Sequence, residues 1–373
     1  METYRLKSKL VENDKEFVIQ TSNDANLVSI LSTVYVDGQV TDKVRCPHPQ
    51  EINPEEVLSL VKLTHEEQKK ELEILLDAYH KTLTGGNADM MCHLGTAFFY
   101  KRLYVEAREL FKAAIALNQD HHQAFNYLGV TQLAMNMVPD AIESCSAAVK
   151  KRPGYADYRN NLGEAFLADG SCQLAVGELE EAIRINLYYG DAYFNLGLAF
   201  VLQTLNAEGD VSRINLPAKA IDCFKKASLI YPDYDAGLLE QGMSALHRSD
   251  LKTAFPLFLK VREAKKEKHR REFAAFYMKF VMYPDWVSEE VVVDRIRFLQ
   301  AEIEKNPTYV DLYTELGRCF LEHAKLSWEK GIQQYKKTLE INPSVSRAQY
   351  CLGLAEREYE NMHSVLSEIA EKS

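Results

Sequence analysis

The chain has 373 residues, 46% of them hydrophobic, and a net charge of −10; that acidic excess argues against general nucleic-acid binding, since phosphate affinity rests on clustered cations. No apolar run approaches the roughly 20 residues that span a bilayer. Seven cysteines without CxxC pairs, and a start (Met1-Glu2-Thr3-Tyr4-Arg5) without the layout of a secretion signal, lead us to expect a cytoplasmic protein with reduced, buried thiols.

Residues 1–50 follow a two-residue period. Tyr4-Arg5-Leu6-Lys7-Ser8-Lys9-Leu10 alternates apolar and polar side chains, and Phe17-Val18-Ile19 is a second short apolar run. Asp37-Gly38 between Val34-Tyr35-Val36 and Gln39-Val40 is a strong hairpin signal. These runs predict a small antiparallel sheet of three or four strands, closed by Cys46-Pro47-His48-Pro49 because proline donates no ladder bond. Residues 51–86 predict a long connecting helical segment. Asn53 is its N-cap, Pro54 and Glu56 sit where a first turn favours them, and Gly85-Gly86 stops it. Leu72, Leu75, Leu76, Tyr79 and Leu83 form an apolar stripe on its second half. So small a sheet is not stable alone, so it is expected to pack on this helix or on the first unit beyond it.

From residue 88 to 373 a longer period takes over. Leu94-Gly95, Leu128-Gly129, Leu162-Gly163 and Leu196-Gly197 stand 34 residues apart, the mark of one supersecondary unit copied and stacked. Within each unit, spacings of three and four put the apolar residues on one helix face. Ala107, Phe111 and Ala114 then mark a second helix, as do Ala141, Cys145 and Ala148, and Ala175, Leu179 and Ala182. Small residues let the helices cross closely. The fourth unit carries about 11 extra residues near 206–216, and a fifth is marked by Gly242, Ala254 and Phe258. Residues 262–309 fit poorly, with Asn306-Pro307 as their one unit-like end; Phe273, Phe276, Tyr277, Phe280, Met282 and Trp286 there are expected to be core. Leu316-Gly317 with Phe320, Tyr335 and Pro343 restores the pattern, and Leu352-Gly353 opens a last unit. The count is about seven or eight repeats.

This pattern resembles the tetratricopeptide repeat. The resemblance implies an all-α solenoid, a superhelix of antiparallel helix pairs, here preceded by the small antiparallel sheet. It also implies a non-catalytic scaffold or adaptor for proteins, with a concave groove lined by fixed positions of each unit's first helix. Those positions select Asp89, Cys92, Thr96, Phe99 and Tyr100 in the first unit, Gln123, Asn126, Val130, Leu133 and Ala134 in the second, and Asp157, Asn160, Glu164, Leu167 and Ala168 in the third. The fourth supplies Asp191, Phe194, Leu198, Val201 and Leu202, and the fifth Leu239, Met243, Leu246 and His247. The lining turns apolar in the fourth and fifth units, and an apolar patch of that extent marks a partner. Phe99, Tyr100, Asn126, Asn160, Phe194, Leu198, Val201, Leu202, Leu239 and Met243 are therefore the expected contacts for a peptide or an amphipathic helix. The rival reading is that the chain's own elements cover the groove, either the fourth-unit insertion or the irregular helices of 262–309. The family's carboxylate clamp needs lysines that are absent, although Asn126 and Asn160 match. Two other functions stay open: a self-assembling protein in which the sheet module or C-terminal helix of one chain fills another's groove, and an accessory subunit docking through the module.

Lys260, Arg262, Lys265, Lys266, Lys268, Arg270 and Arg271 form one basic run, with Glu263, Glu267 and Glu272 interleaved. It reads as a solvated helix with internal ion pairs rather than a phosphate site. Asn161 and Asn195 are read as packing residues. His48 beside Cys46, and His121-His122, lack a second cluster at metal-ligand spacing. With no phosphate loop and no nucleophile elbow, no cofactor, metal, catalysis, nucleic-acid or membrane partner is expected.

Overall fold

The computed structural model describes residues 3–372 apart from 13–14, 25, 207–214, 233, 277–288 and 306–309. Most of the fourth-unit insertion, together with Tyr277, Phe280, Met282, Trp286 and Asn306-Pro307, lies outside the described residues.

Strands β1 (Arg5–Glu12), β2 (Lys15–Asp24), β3 (Ser29–Val36) and β4 (Gln39–Pro47) form an antiparallel meander in the order β1-β2-β3-β4. Asp37 and Gly38 both take positive φ, 48° and 81°, as a two-residue turn matched to strand twist requires. Helix α1 (Pro54–Gly85) starts where the Asn53 side chain accepts from the backbone N–H groups of Glu55 and Glu56, at 2.7 and 3.1 Å. Its apolar face closes the sheet. Ile30 meets Val57 and Val61 at one end. Phe17, Ile19 and Val34 meet Leu72, Leu75 and Leu76 at the other, and that core runs on into Met91, Leu94 and Phe98 of the next helix. His65 is buried between sheet and helix with both nitrogens satisfied, by Ser8 Oγ at 2.8 Å and Thr21 Oγ1 at 2.9 Å. The module is thus continuous with the array, which supplies the burial its own strands lack.

Five helix pairs follow: α2 (Ala88–Tyr100) with α3 (Tyr104–Leu117), α4 (His122–Ala134) with α5 (Val138–Lys151), and α6 (Ala156–Asp169) with α7 (Cys172–Ile185). Next come α8 (Gly190–Leu205) with α9 (Leu216–Ile230), and α10 (Ala236–His247) with α11 (Leu251–Phe276). The reason for the Leu-Gly period is steric. Gly95 lies under Phe111, Gly129 under Cys145, Gly163 under Leu179, Gly197 under Phe224 and Gly242 under Phe258. A Cβ on Gly95, Gly163, Gly197 or Gly242 would stand 2.7–2.8 Å from that side chain, closer than packed atoms approach. The covering residue comes 16 positions after the glycine, or 27 in the unit with the insertion. A second periodic feature left no signature in residue type: Arg102, Asn136 and Gly170, each 34 apart, all adopt left-handed φ (58°, 60° and 80°) at the turn inside the unit. Only at the third does glycine remove the steric cost.

Helices α12 (Glu289–Lys305), α13 (Val310–Ile341) and α14 (Ser346–Lys372) end the chain. Val292, Ile296 and Leu299 pack on Leu316, Cys319 and Leu326. The unit opened by Leu316-Gly317 departs from the two-helix pattern: α13 is one unbroken 32-residue helix. Its middle, His323-Ala324-Lys325-Leu326-Ser327, has no glycine or proline to turn the chain, and Ser327 is its one residue of a capping type.

Candidate interaction groove

Second helices of the first three units are 14 residues long, whereas α11 has 26. Its first half behaves as a normal second helix: Ala254 and Phe258 are buried, and Phe258 covers Gly242. Beyond Val261 nothing breaks the helix, since Glu263-Ala264-Lys265-Lys266-Glu267-Lys268 are all strong helix formers. The extra turns run along the concave side of the superhelix, from the fourth unit back to the first.

The basic run expected to be solvated is instead the docked face of that helix. Lys265 pairs with Asp191 of α8 and is itself 6% exposed. Its ammonium lies 4.1 Å from the centre of the Tyr231 ring and 5.2 Å from that of Tyr234. Lys266 pairs with Glu164 of α6, and Arg262 reaches the same carboxylate at 3.8 Å and Asn195 Oδ1 at 3.5 Å. Farther along, Arg270 donates to the Tyr100 carbonyl at 2.7 Å, and Phe273 stacks on Tyr100 with ring centres 5.5 Å apart. The internal pairing read from the sequence survives in part: Arg262 lies 3.5 Å from Glu263, and Glu267 accepts from Arg270 at 2.9 Å and from Arg271 at 3.1 Å, and also holds Arg102 of the first unit.

These contacts set the charge state of the groove. Burial alone would raise the pKa of Asp191, but Lys265 and its hydrogen bond outweigh it, so the carboxyl is held below its usual range. Glu164 is lowered in the same way by Lys266 and Arg262 against its burial. Glu267, despite burial, is pulled down to about 2 by Arg270, Arg102 and Arg271. At neutral pH the groove floor is anionic, and α11 neutralises it. The helix tip also reaches the sheet module: Arg270 lies 3.5 Å from Asp42 of β4, whose carboxylate accepts from Lys101 at 2.9 Å, while Lys101 donates to Glu71 of α1 at 2.8 Å.

The ten expected contact residues separate into distinct positions. Phe194, Leu198 and Val201 are core, at 1%, 1% and 0% exposure. Phe194 stands 4.9 Å from the Tyr234 ring, 5.0 Å from Phe224 and 6.3 Å from Phe258, because the second helices of the fourth and fifth units close over it. Leu202, Leu239 and Met243 are partly buried against the same cluster. Phe99 lies against Tyr104 and Tyr127, and Tyr100 lies under Phe273. Asn126 and Asn160 are buried and accept from Asn161 and Asn195, both at 2.9 Å, one unit to the next. The asparagines therefore tie neighbouring units together. The residues sequence reasoning missed are Glu164 and Asp191 as ion-pair acceptors: both fall at concave positions of the repeat, but spacing alone does not set their charge against the basic run.

Other chemistry is sparse. No group of three or more potential metal ligands occurs among the described residues, and no described helix is long and apolar enough to cross a membrane. Burial pushes the Cys145 thiol up to about 12 and that of Cys223 to about 11, so both stay protonated at neutral pH and make poor nucleophiles.

A family model described as the tetratricopeptide repeat matches residues 92–156 and 131–186. The chain is 27% identical over 121 residues to the tetratricopeptide repeat domain-containing protein PYG7, chloroplastic, of Arabidopsis thaliana, a match covering 31% of this chain and 40% of that protein. It is 31% identical over 80 residues to tetratricopeptide repeat protein 13 of Homo sapiens, covering 21% of this chain and 9% of that one. The matches thus span less than half of either relative. Among solved structures, a thermophilic TPR protein of Thermus thermophilus is similar, with 23% identity, a TM-score of 0.37, and coverage of 51% of this chain and 98% of that one.

Proposed function

This chain is a tetratricopeptide-repeat protein, a protein-interaction scaffold in general terms, and we propose that its concave groove binds a basic amphipathic helix of a partner. The observation that carries this reading is that the groove already holds such a helix, the distal half of α11, through Glu164, Asp191 and Tyr100. A partner helix with cations three and four residues apart and an aromatic one or two turns on reproduces those contacts. Tyr100, Leu202, Leu239 and Met243 remain proposed apolar contacts beside the two carboxylates.

Because α11 is tethered, it competes at an effective concentration in the millimolar range, so a partner has to displace it. The test is a labelled peptide of residues 260–276 titrated into the full chain and into Lys265→Glu/Lys266→Glu, which repels α11 while leaving the groove intact. Fluorescence anisotropy is expected to give at least tenfold tighter binding to the variant. If neither protein binds the peptide while circular dichroism reports both folded, the groove is a closed structural feature and the proposal fails.

A further inference from the structure

The five packed glycines give a rule that α13 breaks. In each helix pair the glycine of the first helix is covered by a side chain of the following helix. In the unit opened by Leu316-Gly317 the matching side chain is Tyr335. It stands 18 residues on, where the units without an insertion have 16, because successive Leu-Gly pairs are 36 residues apart here, Leu316 to Leu352. Tyr335 cannot cover Gly317 within this helix: 18 residues are five turns, about 27 Å of uninterrupted α13. No described atom lies within 4 Å of where a Cβ on Gly317 or on Gly331 would stand, and Phe320 and Tyr335 are exposed at 47% and 38%.

Five whole turns also bring Gly317 and Tyr335 onto the same side of the helix, with Phe320, Ala324, Trp328 and Gly331 between them. That side is distinct from the one that Leu316, Cys319 and Leu326 turn to α12. It borders the one that Glu329 and Lys336 turn to Tyr359 and Glu356 of α14, and Trp328 at that border donates its Nε1–H to the Ala355 carbonyl of α14 at 2.9 Å while staying 40% exposed. The order of sizes along the stripe is small, large, small, large, small, large. Reversed about its midpoint near Leu326, it sets Gly317 against Tyr335, Phe320 against Gly331 and Ala324 against Trp328. Every large side chain then meets a small one, as Phe111 meets Gly95 inside the first unit.

We propose that two copies of this chain pair through α13, antiparallel about a two-fold axis near Leu326, each supplying the helix that would have been the other's hairpin partner. A two-fold pairing needs one self-complementary surface, and this stripe is one. The proposal is independent of the groove reading, which concerns α11.

Light scattering tests it first: the purified full chain is expected at twice its 42.6 kDa mass. Co-expressing a Gly317→Cys copy with a differently tagged Tyr335→Cys copy, followed by a short bis-maleimide and peptide mapping, is expected to give a 317–335 link between copies. Phe320→Glu/Tyr335→Glu, at positions exposed in a single chain, is expected to halve the mass with far-ultraviolet circular dichroism unchanged. A monomeric parent protein overturns the proposal, as does a dimer that lacks the link or survives the charged variant. A Gly317→Cys/Tyr335→Cys double variant that links only within one chain also overturns it, since α13 then folds on itself.

Discussion

Replacing Phe194 with alanine separates a groove surface from a core most sharply. The ring is 1% exposed and is enclosed by Phe224, Tyr234 and Phe258 at centre distances of 5.0, 4.9 and 6.3 Å. Truncating a buried phenylalanine costs about 3–5 kcal/mol, because lost transfer energy adds to the cavity left behind. Three aromatic contacts are lost with the ring, which favours the upper half of that range. For a cooperative block of about 190 residues, each kcal/mol moves the midpoint by about 2–4 °C. A cost of about 4 kcal/mol therefore lowers melting by roughly 8–16 °C. Thermal unfolding followed by far-ultraviolet circular dichroism reads this directly. A shift below about 2 °C would refute the reasoning: the ring would then be a surface feature, and the second helices of the fourth and fifth units would not close over it.

Three further outcomes rest on the same packing. Gly95→Ala puts a Cβ 2.8 Å from Phe111 Cε1 and is expected to cost about 1–3 kcal/mol in urea unfolding by overpacking, although alanine is the better helix former. Lys101→Met leaves the buried Asp42 with Arg270 at 3.5 Å and the Lys43 backbone N–H at 2.9 Å; a loss of about 3 kcal/mol is expected, read as faster amide exchange in β4 and α1. His122, buried and bonded to Tyr158 Oη at 2.7 Å, has its pKa pushed down to about 4, first by burial and then by Arg152 and His121. Its folded pKa lies below the unfolded value of about 6.5, so the unfolded chain binds the extra proton. Stability is then full above about pH 6.5 and falls towards pH 4, by up to about 3 kcal/mol. His122→Asn is expected to flatten the difference between urea midpoints at about pH 7.5 and about pH 4.5, and an unchanged difference would remove His122 as its source.

The repeat architecture was legible in residue order because its defining contacts are local: each Leu-Gly glycine is covered from the next helix, 16 residues on in the regular units, so packing and period are one fact. The sheet was legible for the same reason, with Asp37-Gly38 fixing the hairpin and alternation fixing its faces. What occupies the groove was not. Whether Lys265 and Lys266 face water or carboxylates depends on Asp191 and Glu164, which lie 74 and 102 residues away in sequence, and no periodicity reports on that distance. Phe194, Leu198 and Val201 occupy positions that line the groove in the repeat's general plan; only the stacking of Phe224, Phe258 and Tyr234 around Phe194 turned that ring inward. In α13 the repeat spacing pointed to two helices and the structure has one, because the residues at the expected turn continue a helix as readily as they end it.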